Sequence, residues 1–222
     1  QSSTGPLTTE MVLLPWSGIT LSITRPIDID ALLDQVENDP EQNLPYWAEL
    51  WPSGIALADA IVCEPGMVSG QNVLEIGCGL GATAVAAMRA GARLLAADYF
   101  QDALSACLAN CSANGVPKPA SLAFNWRAAD NAIPADHQWP VILAADVLYE
   151  KRDIEPLLGF LDQCLAPDGV FWLAEPGRPP AAAWLDAAQT LGWSVESASH
   201  AGPWPDPKDE GVVVGLHKVR RS

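Results

Sequence analysis

The chain has 222 residues, 49% of them hydrophobic and 18% charged, with 27 acidic against 12 basic side chains and a formal charge of −15. A globular chain of this length buries roughly 70% of the surface its unfolded form exposes, enough for one large core without disulfide or metal staples, which argues against disorder. With no surplus of lysine and arginine to neutralise phosphates, a nucleic-acid partner is not expected.

In chain order, the first seventy residues differ from the rest. Met11 to Leu14 and Ile19 to Thr24, joined across Pro15 to Gly18, predict a hairpin. Ile29 to Val36 predicts a short helix, and Pro45 to Ser53 an aromatic, proline-containing loop ahead of a helix from Gly54 to Cys63. No low-complexity linker follows, so residues 1–52 read as an elaboration on a single domain whose core is 53–222.

From Gln71 onward, short apolar β-rich runs alternate with helical stretches. That alternation predicts an α/β fold, a doubly wound and mostly parallel Rossmann-like sheet of seven strands with an N-terminal extension. The strands are Val73 to Ile76, Arg93 to Asp98, Ser121 to Trp126, Val141 to Ala145, Val170 to Ala174, and a closing antiparallel pair, Ser194 to Ser199 and Val212 to Val219. Helices fall between them at Ala82 to Ala90, Asp102 to Asn114, about Asp153 to Leu165 and about Pro180 to Leu191, and Pro167-Asp168-Gly169 reads as a turn.

Five cysteines (Cys63, Cys78, Cys107, Cys111, Cys164) form no C-x-x-C pair. Cys107 and Cys111, one helical turn apart without histidine partners at ligand spacing, read as small apolar fillers, and no metal is expected. A reducing, cytoplasmic setting fits this usage. Gln1 to Pro6 has neither a basic nor an apolar run and does not read as a secretory signal. No apolar run of about 18 residues is present to span a bilayer, so no membrane association is expected. His137, His200 and His217 are scattered and carry no assignment.

The chemistry concentrates between the first core strand and its helix, in Glu75-Ile-Gly77-Cys-Gly79-Leu-Gly81-Ala. Glycine lets a backbone turn sharply and approach a ligand closely, so this is a nucleotide-cofactor loop. Gly77, Gly79 and Ala82 also satisfy the G-x-G-x-x-A dinucleotide pattern, and Asp98, ending the next strand, suits a ribose hydroxyl in either case. Glu75 leans the reading one way. A carboxylate on a strand buried on both faces is costly without a partner. The ammonium of S-adenosylmethionine supplies one, whereas a pyrophosphate would be repelled.

Val73-Leu-Glu-Ile-Gly-Cys-Gly-Leu-Gly81 resembles the cofactor motif of class I, seven-stranded S-adenosylmethionine-dependent methyltransferases. Pro45-Tyr-Trp-Ala-Glu-Leu-Trp-Pro-Ser-Gly54, Phe124-Asn-Trp126 and Asp146-Val-Leu-Tyr149 are similar to the protein lysine methyltransferase branch that includes the electron-transfer flavoprotein β-subunit enzyme and bacterial nicotinamide N-methylase-like proteins. Glu175-Pro-Gly-Arg178 is similar to a GDPGR stretch of bacterial relatives, with Glu in place of Asp. The resemblance covers roughly residues 45–178. It implies that Gly77, Cys78 and Gly79 pass their backbone along the methionine moiety while Glu75 faces its amine. It further implies that Asp98 takes the ribose hydroxyls, Tyr99 lies beside the adenine, Trp126 packs on it, Trp51 closes over the cofactor, and Ala145 borders it.

Asp146, just past the apolar run Val141 to Ala145, is expected at the carboxyl edge of the sheet, with Tyr149 close behind. Methyl transfer to an amine needs a neutral nitrogen, whereas a free lysine, with a pKa of about 10.4, is protonated at pH 7. Asp146 would align the entering amine and Tyr149 would wall it, as the catalytic pair. The expected activity is N-methyl transfer to a lysine side chain of a protein substrate by a monomeric enzyme. A small amine or pyridine acceptor, an NAD-linked oxidoreductase and a non-catalytic binding module stand as alternatives. Between Pro26 and Met88 lie Asp28, Asp30, Asp34, Glu37, Asp39, Glu41, Glu49, Asp59, Glu64 and Glu75 with no lysine or arginine, a stretch whose field would steer a basic substrate.

Overall fold

A computed structural model of the protein describes residues 5–28, 32, 44–127 and 138–221. Two strands, β1 (Leu7–Leu13) and β2 (Thr20–Pro26), form the expected antiparallel hairpin. The remaining strands are β3 (Asn72–Ile76), β4 (Arg93–Asp98), β5 (Ala120–Ala123), β6 (Trp139–Ala145), β7 (Leu165–Glu175), β8 (Ser194–His200) and β9 (Val214–Arg220). They make one seven-stranded sheet in the order β5-β4-β3-β6-β7-β9-β8. The first five in that order pair in parallel, and β9 inserts antiparallel between β7 and β8. Chain direction across the sheet reverses between β3 and β6, and open α/β sheets bind their ligands outside the strand C-termini at such a switch point.

Five α-helices cover the sheet among the described residues: α1 (Pro52–Cys63), α2 (Ala82–Arg89), α3 (Gln101–Ala113), α4 (Ile154–Cys164) and α5 (Pro179–Thr190). Alternation along β3 divides the core. Val73 faces the layer of α1, α2 and α3, while Leu74 and Ile76 face that of α4 and α5. By the same period of two, Glu75 falls on the side of Val73. The hairpin lies over the first layer, with Leu21 and Ile23 fully buried.

Asn110 on α3 and Asn114, which caps the helix C-terminus, satisfy the free edge of β2. Asn110 accepts from the Thr24 amide and donates to its carbonyl, and Asn114 does the same for Ser22. One helical turn apart, they match two residues of strand repeat, so the helix closes the ladder as a third strand would. Asn110 also donates to the Leu80 carbonyl at 2.9 Å, tying the hairpin to the glycine loop.

Two expectations change in detail. The third core strand stops at Ala123 rather than Trp126: the Phe124 amide makes the last bond of the parallel ladder, to the Asp98 carbonyl at 2.8 Å, and β4, its partner, itself ends at Asp98. Pro167-Asp168-Gly169 lies within β7 as an irregularity. Trp139 pairs with Leu165 but Val141 with Val170, so the intervening residues bulge out before the ladder resumes. The helix expected at Ile29 to Val36 falls outside the described residues apart from Leu32, which is buried.

Candidate active site

Three clefts meet at the switch point, with Trp51 lining all of them. The first, of about 390 Å³, runs along the glycine loop and is lined by Glu75, Gly77, Cys78, Gly79 and Ala145. The second, of about 700 Å³, holds Asp98, Tyr99, Phe100, Asn125, Trp126 and Arg127. The third, of about 960 Å³, opens outward between Tyr46, Asp146, Tyr149, Glu150 and Arg178. Every site residue expected from the sequence lines at least one of these clefts.

The glycine loop is shaped by conformation and by contact. Gly77, Gly79 and Gly81 have φ of 68°, 49° and 82°, the left-handed region where a side chain is strained. A Cβ on Gly77 would lie 2.9 Å from Val147 Cγ1, and one on Gly81 would lie 2.7 Å from Cys107 Sγ. The first glycine therefore lets the loop pass Val147, and the third lets α2 close on α3. Cys78, Cys107 and Cys111 pack together beneath the loop; hydrogen bonds among them pull Cys78 and Cys107 down, but burial prevails and all three thiols stand above their ordinary value, away from reactivity.

Asp98 pins this loop to the neighbouring strand. One carboxylate oxygen accepts from the Gly79 amide at 2.9 Å and the other from the Phe100 amide at 3.0 Å. Burial pushes its pKa up to about 6 despite those amides. The Tyr99 amide bonds the same carboxylate, so of its four lone pairs one is left for a further donor from the cleft. Glu75, only 3% exposed, is different: its Oε2 has no hydrogen-bond partner among the described residues. Burial, with the Asp98 charge adding to it, drives this carboxyl well above the usual range. A buried oxygen left unpaired costs about 1–3 kcal/mol. This one borders the first cleft, where a ligand cation would complete it.

Aromatic rings wall the second cleft, and Trp126 belongs to it from the loop beyond β5. Arg127 spans from there to the acceptor side. Its guanidinium lies 5.2 Å from the Trp126 ring centroid and 5.6 Å from that of Tyr149, donates to the Tyr149 hydroxyl at 3.3 Å, and donates to Asp153 at 2.6 Å. The Asp153 side chain is fully buried and also accepts from the Glu150 amide. Burial raises the Tyr149 pKa, so its hydroxyl stays protonated.

Asp146 is the one non-glycine with positive φ among the described residues, at 54°. Its amide still reaches the Ala174 carbonyl at 2.9 Å, which fixes the carboxylate at the sheet edge. Both carboxylate oxygens are engaged by Arg178, at 2.7 and 2.9 Å. The sequence-based role for Asp146, a carboxylate open to an incoming amine, is thus modified: its partner here is a guanidinium of the same chain. Glu175 sets that arginine in place. Burial works against its charge, but His217 and the amides of Gly177 and Arg178 hold its carboxyl below the usual range.

Arg127, Arg178, Tyr46 and Phe100 are site residues that received no role from the sequence. The only signal of the two arginines is their rarity, as cations flanking the Phe124 and Glu175 stretches. His200 and His217, left unassigned, bind buried carboxylates. His200 meets Asp59 at 3.0 Å, and Asp59 also accepts from the Trp16 and Ser17 amides, which fastens the hairpin tip to α1. His137 lies outside the described residues, as do Asp30, Asp34, Glu37, Asp39 and Glu41 of the acidic stretch. Among its described members, Glu49 pairs with Lys208 and Glu64 with Lys218, which reduces the field they project. No helix among the described residues is long and apolar enough to cross a membrane.

Comparison with known proteins gives consistent results. A family model described as lysine methyltransferase matches residues 36–182. The electron transfer flavoprotein beta subunit lysine methyltransferase of Danio rerio is 35% identical over 138 residues, which is 60% of this chain and 51% of that protein. The enzyme of the same name from Homo sapiens is 33% identical over 145 residues, covering 61% of this chain and 50% of that protein. The chain therefore spans about half the length of these relatives. In fold, it resembles the crystal structure of magnesium protoporphyrin IX methyltransferase from Synechocystis with bound SAM, with a TM-score of 0.58 at 14% identity over 87% of this chain and 98% of that one.

Proposed function

Because the chain belongs to the lysine methyltransferase family, matched over residues 36–182, we propose that it transfers a methyl group from S-adenosylmethionine to the side-chain amine of a protein lysine. The observation that carries this is the buried Glu75 oxygen without a partner at the end of the glycine cradle. It fits the ammonium of an amino-acid-bearing nucleoside and disfavours a pyrophosphate. Asp98 supports the same reading, with a lone pair left for a ribose hydroxyl, as do Tyr99 and Trp126, whose flat rings suit an adenine.

When bound, S-adenosylmethionine supplies a methyl carbon made electrophilic by the sulfonium. The lysine nitrogen forms the new bond to that carbon, the carbon–sulfur bond breaks with its electron pair passing to sulfur, and the lysine proton is released to water. The chain's own residues prepare the nitrogen. Tyr46, Trp51 and Tyr149 give a cation-attracting wall that also strips water from the amine. Asp146 orients it as a hydrogen-bond acceptor, and the Arg127 contact keeps the Tyr149 ring in position. The protein partner is the reading favoured by the open third cleft, since a channel reaching the surface suits a lysine on a larger molecule. A cytoplasmic, monomeric enzyme completes the proposal, supported by cysteine usage typical of a reducing compartment.

The test is incubation with tritiated S-adenosylmethionine and cell extract, followed by separation by size and acid hydrolysis of the protein fraction. Radioactive methyl-lysine in a discrete protein band is the expected result. Label confined to small molecules would replace the protein lysine with a small amine.

A further inference from the structure

Asp146, the carboxylate that the proposed reaction would offer to its acceptor, already holds a cation, and that cation is part of the chain. Both oxygens are taken by the Arg178 fork, yet the two partners are unequally held: the Asp146 side chain is 7% exposed and that of Arg178 36%. Asp146 is also fixed through its backbone, at φ 54° with its amide bound to Ala174. The Arg178 backbone is anchored through Glu175, while its side chain crosses the open third cleft. Its guanidinium lies 5.8 Å from the Trp51 ring centroid, in a cleft walled by Tyr46 and Tyr149 as well. Carboxylate and rings together are what a lysine ammonium needs, and they cannot serve both cations at once.

We infer that Arg178 occupies the seat of the acceptor amine and is the residue the substrate displaces, its guanidinium swinging toward solvent as the ammonium takes over Asp146 and the face of Trp51. The inference rests on the acceptor reading of the third cleft given above. Glu150, on the same cleft and 44% exposed in its side chain, already pairs with Arg152 at 2.9 Å, so the displaced guanidinium shares that carboxylate or goes to solvent. Arg178 thereby sets acceptor specificity. Apparent affinity for any cation is reduced by the fraction of time the seat is free, so only an acceptor with contacts beyond its amine binds well. When no acceptor is present, the buried Asp146 charge stays paired.

The experiment measures binding of n-butylammonium and of ethylguanidinium to the full chain saturated with S-adenosylhomocysteine, by calorimetry. The wild type, Arg178→Ala, Arg178→Met and the double variant Asp146→Asn/Arg178→Ala are compared. Arg178→Met keeps an unbranched apolar side chain at the position should the alanine variant fold poorly. Freeing the seat is expected to tighten both probes roughly tenfold or more in the single variants, with the gain lost in the double variant. Equal or weaker binding by the single variants, or a gain that survives loss of the Asp146 charge, would overturn the inference. The saturation step separates this from the functional reading: S-adenosylhomocysteine binding without a gain in cation affinity defeats only the displaced-arginine mechanism. Absence of S-adenosylhomocysteine binding defeats the methyltransferase reading itself.

Discussion

Replacing Glu75 by glutamine is expected to strengthen the ligand-free protein and weaken its hold on the donor, two effects of opposite sign from one atom. Glu75 is 3% exposed, its Oε2 is without a partner among the described residues, and burial holds its pKa well above the ordinary value. A folded-state pKa raised above the unfolded one means that the group's stabilising contribution is complete below the unfolded pKa. That contribution is lost as pH climbs through the folded value. Glutamine has no such loss. At pH 8 the variant should be the more stable by about 1.4 kcal/mol for each pH unit by which burial raises the carboxyl, because the amide, though as poorly paired, is never ionised. In a domain of this size each kcal/mol moves the melting temperature by about 2–4 °C. The gain should fade toward pH 4. With the ligand present the sign reverses: a charge-assisted hydrogen bond contributes about 1.5–3 kcal/mol, so S-adenosylhomocysteine should bind roughly ten- to 150-fold more weakly. Scanning calorimetry across pH and titration calorimetry read the two effects separately. A variant that melts lower at pH 8 and binds the nucleoside like the wild type would refute the reasoning, because Glu75 would then be an acid satisfied within the fold.

Other perturbations probe the neighbouring parts. The Asp98 carboxyl, pushed up to about 6 by burial, offers ribose hydroxyls a charged acceptor only above that pH, so S-adenosylhomocysteine affinity should fall as pH drops below about 6, and Asp98→Asn should abolish that dependence. Gly81→Ala puts a methyl 2.7 Å from Cys107 Sγ and 2.9 Å from its Cα at a φ of 82°, and should cost about 1–3 kcal/mol or more in urea unfolding. Arg127→Ala leaves the fully buried Asp153 carboxylate without its cation, and removal of one partner from a buried pair costs about 3–5 kcal/mol. The same variant should lower the rate of methyl transfer by releasing Tyr149, an effect absent from Arg152→Ala, whose pair with Glu150 is exposed.

What can be read from the sequence and what cannot divide along one physical line. Strand and helix periodicity, glycine at turns and an acid at a strand end are local signals, so the sheet, the glycine loop, Glu75 and Asp98 are legible in the order of residues alone. Contacts between distant segments leave no such period. Asp59 and His200 are 141 residues apart, and the asparagines that close the edge of β2 are separated from it by 86 and 92. Nothing in the spacing of Asp146 and Arg178, 32 residues apart, announces a bidentate pair. Where a local reading fails, the cause is also tertiary: Trp126 extends the β-rich run of Ser121, yet the neighbouring strand β4 ends at Asp98 and offers no further partner beyond Phe124.

The claim on which the functional account turns is that the glycine cradle takes an amino-acid-bearing nucleoside and not a dinucleotide. Native mass spectrometry of the ligand-free chain mixed with equal amounts of S-adenosylhomocysteine and NAD tests it directly. A complex carrying the mass of S-adenosylhomocysteine alone is predicted. A complex with NAD and none with S-adenosylhomocysteine would contradict it.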